Sequence, residues 1–324
     1  MSLEKILNKI NTIKERAKQT FKGLAYSGII GLASLGFLTG NAKAENLRYE
    51  TTKLNIPAHY MNYLEGINDY GEIVGGFFCL KCGGLRAFLY KNNEILELNE
   101  DFGLGGAAVA INDFGEILVK DGNNRSFVYK LGKRIELDFL AEDINNRGDV
   151  VGENYLYMED PYPVKIELPF HIRAFAINDR RQIAGVIDDP LPNHRPVLLD
   201  DNMITELERV PGGPEEDPNY YEYYIYDINN DGKIVGWFGI QKSPRPGPAY
   251  ACMWDENGKI KQLDIVSSRS KAIAINDKGH IVGWRLDPNN PAEAMAFLYK
   301  NENIIDLNNF FTALSKKTTF SLAL

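Results

Sequence analysis

The chain has 324 residues, of which 44% are hydrophobic and 25% are charged, a composition that excludes the disordered class and is typical of folded globular proteins. Its net charge of −8 is unevenly spread, because residues 1–44 carry +5 and the remainder therefore carries −13. Nucleic-acid phosphates need a basic surface, so the acidic body argues against DNA or RNA as a partner.

The first 44 residues have the order of features found in a signal peptide. A basic stretch from Lys5 to Lys22 precedes an uncharged run over residues 23–40, and Ala42-Lys43-Ala44 gives a small-x-small cleavage pattern. We therefore expect a signal helix in residues 1–44, cleavage after Ala44, and secretion of residues 45–324 as one domain without membrane attachment. The alternative is an uncleaved membrane anchor, since the run is marginally long enough to span a bilayer. Its five glycines favour cleavage.

The rest of the chain repeats one motif six times. The fullest copy, residues 274–283, reads Ala-Ile-Asn-Asp-Lys-Gly-His-Ile-Val-Gly, in which Asn-Asp-x-Gly joins two apolar runs. The Asn or Asp side chain caps its own backbone and Gly supplies a left-handed residue, so the motif predicts a β-hairpin. The turn residues are Asn68, Asp69 and Gly71; Asn112, Asp113 and Gly115; Asn145 and Gly148; Asn178 and Asp179; Asn229 and Gly232; and Asn276, Asp277 and Gly279.

The spacing of these repeats predicts a β-propeller. Successive motif Asn residues are 44, 33, 33, 51 and 47 residues apart, a mean of 41.6. A period near 40, with room for two further strands after each hairpin, is that of a four-stranded propeller blade. We predict an all-β propeller of six blades, with the Ala-rich first strand of each blade innermost. Seven blades, with a closing blade split between the two ends of the chain, is the alternative.

The order of the motifs also resembles a known repeat family. Ala-x-Ala-Ile-Asn-Asp-x-Gly-x-Ile-Val-Gly, then Ala-Phe-Leu-Tyr, then Asp-Leu resembles the HAF repeat of exported bacterial and archaeal proteins, over roughly residues 48–320. The His that names the repeat is Arg86 in the first copy and Met295 in the last, and Arg181 stands where the other copies have Gly. The resemblance implies an extracellular, propeller-like repeat protein and no particular activity.

Binding residues are expected on one face of the disc. In an antiparallel blade, the 1–2 and 3–4 turns lie on one side and the 2–3 loops and inter-blade links on the other. Nearly all insertions fall in the second set, which favours a non-catalytic, monomeric module that binds a carbohydrate, a cell-surface polymer or a protein. The aromatic residues predicted to surround this face are Trp237, Trp284, Tyr220, Tyr221, Tyr223 and Tyr224.

The alternative function is an extracellular hydrolase or lyase with a carboxylate site at the mouth of the central channel. Loop acids such as Asp188, Asp189, Asp217 and Asp287 would supply that site, although no local Ser/His/Asp or Cys/His signature is present. An enzyme needs two converging polar groups, whereas a binding module needs only exposed aromatic side chains. The sequence leaves the ligand and the question of catalysis open.

Cys79 and Cys82 form a Cys-x-x-Cys pair. In an exported protein this pattern favours a disulfide, with half a zinc site or free thiols as alternatives. A zinc site needs four ligands, and the chain offers one further Cys and four scattered His. The Asn-Asp-x-Gly turns lack the later bidentate acid of a calcium loop. We therefore expect neither a metal nor a cofactor.

Two irregularities among the turns lead to expectations of their own. Arg181 takes a position that costs a non-Gly residue on the order of 1 kcal/mol, so Arg181→Gly is expected to raise the melting temperature. Residues 143–146 and 227–230 read Asp-Ile-Asn-Asn, where the other four copies begin with Ala or Gly and end with Asp. Either the two outer positions compete for the same backbone donors, so that one acid fits, or Asp143 and Asp227 point into a wet channel.

Overall fold

The computed structural model describes residues 61–79, 84–98, 106–121, 123, 125–159, 162–188, 194–210, 221–240, 247–263, 267, 269–287, 289–290 and 293–307. Its 24 strands form six sheets, each of four antiparallel strands in chain order. The prediction of a six-bladed propeller is confirmed. The expected signal helix and the chain ends that would build a seventh blade lie outside the described residues.

The first three blades contain strands β1 to β12. Blade 1 consists of β1 (Met61–Ile67), β2 (Ile73–Cys79), β3 (Gly84–Lys91) and β4 (Glu94–Glu97). Blade 2 consists of β5 (Gly106–Ile111), β6 (Ile117–Asp121), β7 (Ser126–Lys130) and β8 (Lys133–Leu137). Blade 3 consists of β9 (Asp143–Ile144), β10 (Val150–Gly152), β11 (Tyr155–Met158) and β12 (Val164–Glu167).

The last three blades contain strands β13 to β24, after a 3-10 turn at Pro169–His171. Blade 4 consists of β13 (Ile172–Ile177), β14 (Ile183–Asp188), β15 (His194–Asp200) and β16 (Met203–Glu206). Blade 5 consists of β17 (Tyr221–Ile228), β18 (Ile234–Ile240), β19 (Ala249–Trp254) and β20 (Ile260–Gln262). Blade 6 consists of β21 (Ser270–Ile275), β22 (Ile281–Leu286), β23 (Ala294–Lys300) and β24 (Asn303–Asp306). The described residues include no helix with the length and apolarity of a membrane span.

The motif Asn holds the first hairpin of each blade together. In blade 2, Asn112 Oδ1 accepts hydrogen bonds from the backbone N–H groups of Phe114 and Glu116, both at 3.0 Å. The same pair of bonds recurs in all six blades. Gly115 lies at φ 74°, where a Cβ would be strained, and its N–H bonds to Asn112 O at 3.1 Å. The side chain of the Asn therefore accepts hydrogen bonds from two N–H groups of its own hairpin turn.

Hydrophobic clusters fill the joints between successive blades. Between blades 5 and 6, for example, Val235 and Ala251 pack with Ile275, Ile281 and Phe297. Comparable clusters join blades 1 and 2, 2 and 3, 3 and 4, and 4 and 5. Burial of one side chain of this size contributes about 1.5–3 kcal/mol, so packing of blade on blade dominates the stability. The outer strands, such as β4 and β12, are largely exposed, as their Glu-bearing sequences predict.

Two series of hydrogen bonds link the hairpins of neighbouring blades. In blades 1 to 5, the motif Asn donates Nδ2–H to the backbone carbonyl of the motif Asn in the next blade, at 2.9–3.2 Å. The residue after the Asn donates its backbone N–H to the side-chain oxygen of its counterpart in the next blade, at 2.7–2.9 Å. We call these counterparts the turn ring; its members are Asp69, Asp113, Asn146, Asp179, Asn230 and Asp277.

The turn ring explains why two of its members are Asn. Asn230 Nδ2 donates to Asp179 Oδ2 at 2.9 Å and to Asp277 Oδ2 at 3.2 Å, and Asn146 bridges its two acidic neighbours in the same way. Asp227 instead accepts from the N–H groups of Ile228 and Ile275. The two positions use different donors, so the expectation that they compete is wrong.

Five of the six first strands release one residue from regular pairing, three positions before the motif Asn. In five blades the register shifts at this residue, which is the signature of a β-bulge. In blade 3 the equivalent residue lies just before the two-residue strand β9. We call these six residues the bulge positions; they are Glu65, Val109, Glu142, Phe175, Tyr226 and Ile273.

Candidate ligand site in the central channel

A cavity of about 480 Å³ lies on the propeller axis, and residues from the first strand of every blade line it. We call it the axial cavity. All six bulge positions are among its lining residues. Its volume falls in the range of pockets that hold small molecules. In five blades the bulge residue has no cross-strand partner, and its side chain differs in chemistry from blade to blade.

The two halves of the axial cavity differ in chemistry. The bulge positions of blades 1 to 3 are Glu65, Val109 and Glu142, and Lys120 of β6 lies beside them. The bulge positions of blades 4 to 6 are aromatic or aliphatic, namely Phe175, Tyr226 and Ile273. In a ring of six blades, blades 1 to 3 face blades 4 to 6 across the axis. We call these two sides the charged wall and the apolar wall; Asp227 of blade 5 also lines the second side.

Two aspartates that line the axial cavity are bound to backbone. Asp143 accepts hydrogen bonds from the N–H groups of Ile144 at 2.8 Å and Ile177 at 3.0 Å. Asp227 makes the equivalent bonds at 2.8 and 2.9 Å, so each carboxylate joins its own blade to the next. Both aspartates therefore line the channel, as one of the two interpretations predicts. The carboxylate of each, however, is hydrogen-bonded to backbone N–H groups.

The charged wall contains an ion pair and one carboxyl without a hydrogen-bond partner. Lys120 Nζ bonds to Glu142 Oε2 at 2.5 Å. Glu65 has no hydrogen-bond partner among the described residues, and burial raises the pKa of its carboxyl to about 7, against a smaller lowering by the charge of Lys120. Glu65 is thus the lining acid of the described chain whose oxygens remain available to a ligand.

A second group of side chains lies next to the apolar wall, between blades 5 and 6. The ring of Trp237 stacks on Tyr224 with centroids 4.4 Å apart and an interplanar angle of 6°. Lys271 Nζ lies 4.7 Å from the centroid of Trp237 and 5.8 Å from that of Trp284, and it donates to Tyr226 Oη at 3.3 Å. These cation–π contacts fix the orientation of the rings. We call the five residues the Lys271 cluster; Tyr224 and Tyr226 also line the axial cavity.

A family model matches the second half of the molecule. The family is described as "Protein of unknown function (DUF3466)", and the match covers residues 156–322, just over half of the chain. The chain belongs to this family. The match begins in β11 of blade 3 and includes blades 4 to 6 entire, the half of the propeller that carries the apolar wall and the Lys271 cluster.

Comparison with other proteins places this DUF3466 protein among propellers. The β-propeller domain of the Trilobed protease from Pyrococcus furiosus superposes with a TM-score of 0.54 at 12% identity, over 76% of this chain and 83% of that one. The SapL1 lectin in complex with alpha methyl fucoside gives a TM-score of 0.40 at 12% identity, over 76% and 95% of the two chains. The first likeness shows the fold alone, and nothing is inferred from the second.

A curated relative shares a shorter stretch of sequence. Endolysin 2638A of Staphylococcus phage 2638A is 25% identical over 132 residues, which is 39% of the DUF3466 chain. The chain spans only 25% of the length of that protein. What the endolysin does as a whole is therefore not transferred to this protein.

Four of the six aromatic residues predicted from the sequence have described side chains. Trp237, Trp284 and Tyr224 come together in the Lys271 cluster, where the two tryptophans lie within β18 and β22. Tyr223 is only 3% exposed and packs on Phe238 and Trp254, so its placement on the surface of the loop face is wrong. Along β17 the side chains alternate between faces, which buries Tyr223 when Tyr224 faces the channel.

Other predicted residues lie where the structure gives no side-chain description. Tyr220 and Cys82 are outside the described residues, and Tyr221 and Cys79 are placed only as backbone in β17 and β2. The disulfide between Cys79 and Cys82 stays a prediction. Cys252 is a free thiol, buried in the cluster between blades 4 and 5.

One position in the repeats is variable in sequence and lines the axial cavity. The six repeats agree closely from the Ile before the motif Asn onward. Three positions before that Asn, however, they read Glu, Val, Glu, Phe, Tyr and Ile. A position that varies inside a regular strand is one that the fold does not constrain, and here it faces the axis. The loop aromatic residues predicted from the sequence include none of the six bulge positions.

Proposed function

We propose that the protein is an exported binding module that holds a small ligand, or the end of a larger one, in its axial cavity. The supporting observation is that all six bulge positions line that cavity while differing in chemistry from blade to blade. A rigid set of repeated strands that presents variable side chains toward one space is the arrangement of a binding site. Carbohydrates, the ends of cell-surface polymers and protein segments are all compatible with its size.

The chemistry of the charged wall supports binding more than catalysis. A hydrolase or lyase needs an acid and a base that converge on one bond. Among the described lining carboxylates, Asp143 and Asp227 accept backbone N–H groups and Glu142 pairs with Lys120. Glu65 alone remains available, which is one member of the pair that such a reaction requires.

A cavity-filling substitution tests the proposed function. Val109→Trp places an indole at a bulge position, whereas Val164→Trp adds the same indole to an exposed position of β12. Thermal-shift measurements with cellobiose, N-acetylglucosamine, free amino acids, phenethylamine and 2-phenylethanol should show stabilisation of the wild type by at least one compound. The stabilisation should vanish in Val109→Trp and persist in Val164→Trp.

Two results would overturn the proposal. One is stabilisation of the wild type that survives Val109→Trp, which would place the ligand elsewhere. The other is the absence of any shift with the whole panel. If Val109→Trp does not fold, Phe175→Ala removes part of the opposite wall instead, and it should weaken the same shift.

The export part of the proposal has its own test. Residues 1–44 carry the basic stretch, the uncharged run and the Ala42-Lys43-Ala44 pattern of a signal peptide. Intact mass spectrometry of protein recovered from a secreting host should show a chain that begins at Glu45. Recovery of the chain with residues 1–44 attached would favour the uncleaved anchor.

A further inference from the structure

The two walls of the axial cavity match the two ends of an amphipathic ligand. The charged wall contributes Glu65, and the apolar wall contributes Phe175 and Tyr226 on the far side of the axis. An apolar body gains from leaving water for the second wall, and a charged group gains only if it meets a partner on the first. A neutral polar ligand would satisfy neither wall fully.

The sign of the charge follows from the lining residues. Glu65, Glu142, Asp143 and Asp227 are acidic, and Lys120 is the basic residue among the described lining. Lys120 is already paired with Glu142. Two further cations lie against the rings but outside the lining: Lys271 donates to Tyr226 Oη at 3.3 Å, and the Arg173 guanidinium lies 5.1 Å from the centroid of Phe175. The lining itself therefore carries four acids against one base, which favours a cation over an anion at the charged wall.

Glu65 shows where the cation would be held. A partly buried carboxyl without a hydrogen-bond partner is costly, and each of the other lining acids has a partner. An ammonium group at hydrogen-bond distance from Glu65 would remove that cost. Charged donors make stronger hydrogen bonds to carboxylates than neutral donors do.

We propose that the axial cavity binds a small organic cation, with its ammonium group on Glu65 and its apolar body against Phe175 and Tyr226. This inference rests on the proposed function, because it names the ligand class of the same cavity. Its specificity comes from one unpartnered acid and two rings that face it, on strands held rigid by the hairpin bonds of the turn ring.

Phenethylamine and 2-phenylethanol are a matched pair of probes, since they share a ring and a chain and differ in an ammonium or a hydroxyl group. Calorimetry at pH 8, where Glu65 is ionised and the amine is protonated, should give a Kd for phenethylamine at least about tenfold below that for the alcohol. Glu65→Gln should bring the two values within about twofold of each other. Glu97→Gln, on the exposed face of β4, removes the same charge outside the cavity and should leave the ratio unchanged.

The pH dependence provides a second readout. Between pH 8 and pH 6 the affinity of the wild type for phenethylamine should fall, because Glu65 gains a proton in this interval. The charged groups that line the cavity with Glu65 are Lys120, Glu142, Asp143 and Asp227, and Arg173 lies against Phe175 of the opposite wall. Glu65→Gln should bind with an affinity that is flat over the same interval.

The outcomes separate this inference from the proposed function. If phenethylamine and the alcohol bind equally well and Val109→Trp blocks both, the cavity is a binding site for neutral ligands and the ammonium proposal is wrong. If the preference for the amine persists in Glu65→Gln, the cation is held elsewhere and the role of Glu65 is wrong. If neither probe binds in the millimolar range, the inference fails, while the wider panel still decides the proposed function.

Discussion

Arg181 shows how one side chain reverses an expectation based on backbone conformation. It lies at φ 65°, the conformation that Gly has in the other five turns at φ 71–83°. Its guanidinium, however, bonds to both carboxylate oxygens of Asp149, at 2.8 and 3.1 Å, and the Asp149 side chain is fully buried. Asp149 also accepts a hydrogen bond from Asn145 Nδ2 at 3.1 Å, but loss of its two bonds to Arg181 still costs about 3 kcal/mol, whereas relief of left-handed strain returns only about 1 kcal/mol.

We therefore expect Arg181→Gly to lower the free energy of unfolding by roughly 2 kcal/mol, opposite to the increase predicted from the turn alone. In an Asp149→Asn background the ion pair is absent, so the same substitution should stabilise by up to about 1 kcal/mol. Denaturant titration of the four proteins of this double-mutant cycle measures both effects. A stabilising effect of Arg181→Gly in the wild-type background would show that the ion pair contributes little.

His280 makes stability depend on pH. Burial, and then the charges of Lys300 and Lys278, lower the pKa of its imidazole from 6.5 to about 4, and its buried Nδ1 has no hydrogen-bond partner among the described residues. Since the pKa is lower in the folded state, the unfolded state binds the proton first as pH falls. The contribution of neutral His280 is complete above about pH 6.5 and is lost between that pH and about 4.

His280→Gln should remove this part of the pH dependence. Gln182 occupies the same place in blade 4, where its Oε1 accepts a hydrogen bond from Asn178 Nδ2 at 2.8 Å. A glutamine at 280 would offer that acceptor to Asn276, so a gain of about 1 kcal/mol at neutral pH is also expected. Unfolding at pH 7.5 and pH 5 should show a smaller loss for the variant than for the wild type. Equal losses would mean that His280 titrates normally.

The hairpin is the element that carries the architecture. Its Asn caps its own turn through Oδ1 and joins the next blade through Nδ2, two functions that Asp cannot combine because a carboxylate has no N–H to donate. The chain provides a matched pair for separating them. Asn229 Nδ2 bonds to Asn276 O at 3.0 Å, whereas the buried Nδ2 of Asn276 has no partner in the described part of the chain.

Asn229→Asp should therefore cost more than Asn276→Asp, by about 2 kcal/mol, because it places a carboxylate against a carbonyl in addition to losing a bond. The turns are otherwise comparable, since each keeps the two Oδ1 contacts and neither has an acid four residues later. Urea unfolding of the two variants provides the comparison. Equal costs would mean that the bond between blades is energetically neutral.

The hairpins were predictable from sequence, but the way they connect was not. Asn-Asp-x-Gly between apolar runs specifies a local turn through the conformation of Gly and the capping of Asn. The bond from Asn229 to Asn276 joins residues 47 positions apart, and no local rule predicts it. The predicted exposure of Tyr223 was wrong for the same reason, because the direction of a side chain in β17 depends on the strand's position between two blades.

At the scale of the whole molecule, the closing joint differs from the other five. The Nδ2 to carbonyl series ends at Asn276, and the first strands of blades 6 and 1 make less contact than any other neighbouring pair among the described residues. A joint with fewer hydrogen bonds opens at lower free energy than the global unfolding reaction. Opening at this joint would separate β21 from β1 without breaking any sheet.

Hydrogen exchange should therefore find the backbone amides of the turns at Asn68 and Asn276 less protected than those at Asn145 and Asn178, which bond to neighbours on both sides. Mass spectrometry of proteolytic fragments under native conditions measures this. Uniform protection around the six turns would show that residues beyond those described complete the closing joint.

The bulge positions affect how the binding surface of such a protein evolves. Because the bulge residue has no cross-strand partner in five of the blades, a substitution there alters the wall of the axial cavity while the flanking residues keep their partners. Together with Glu142 of blade 3, these positions can be substituted one at a time. New recognition then arises by point substitution, without the insertion or loss of a loop, and a library varied at these six positions alone would sample it on an unchanged fold.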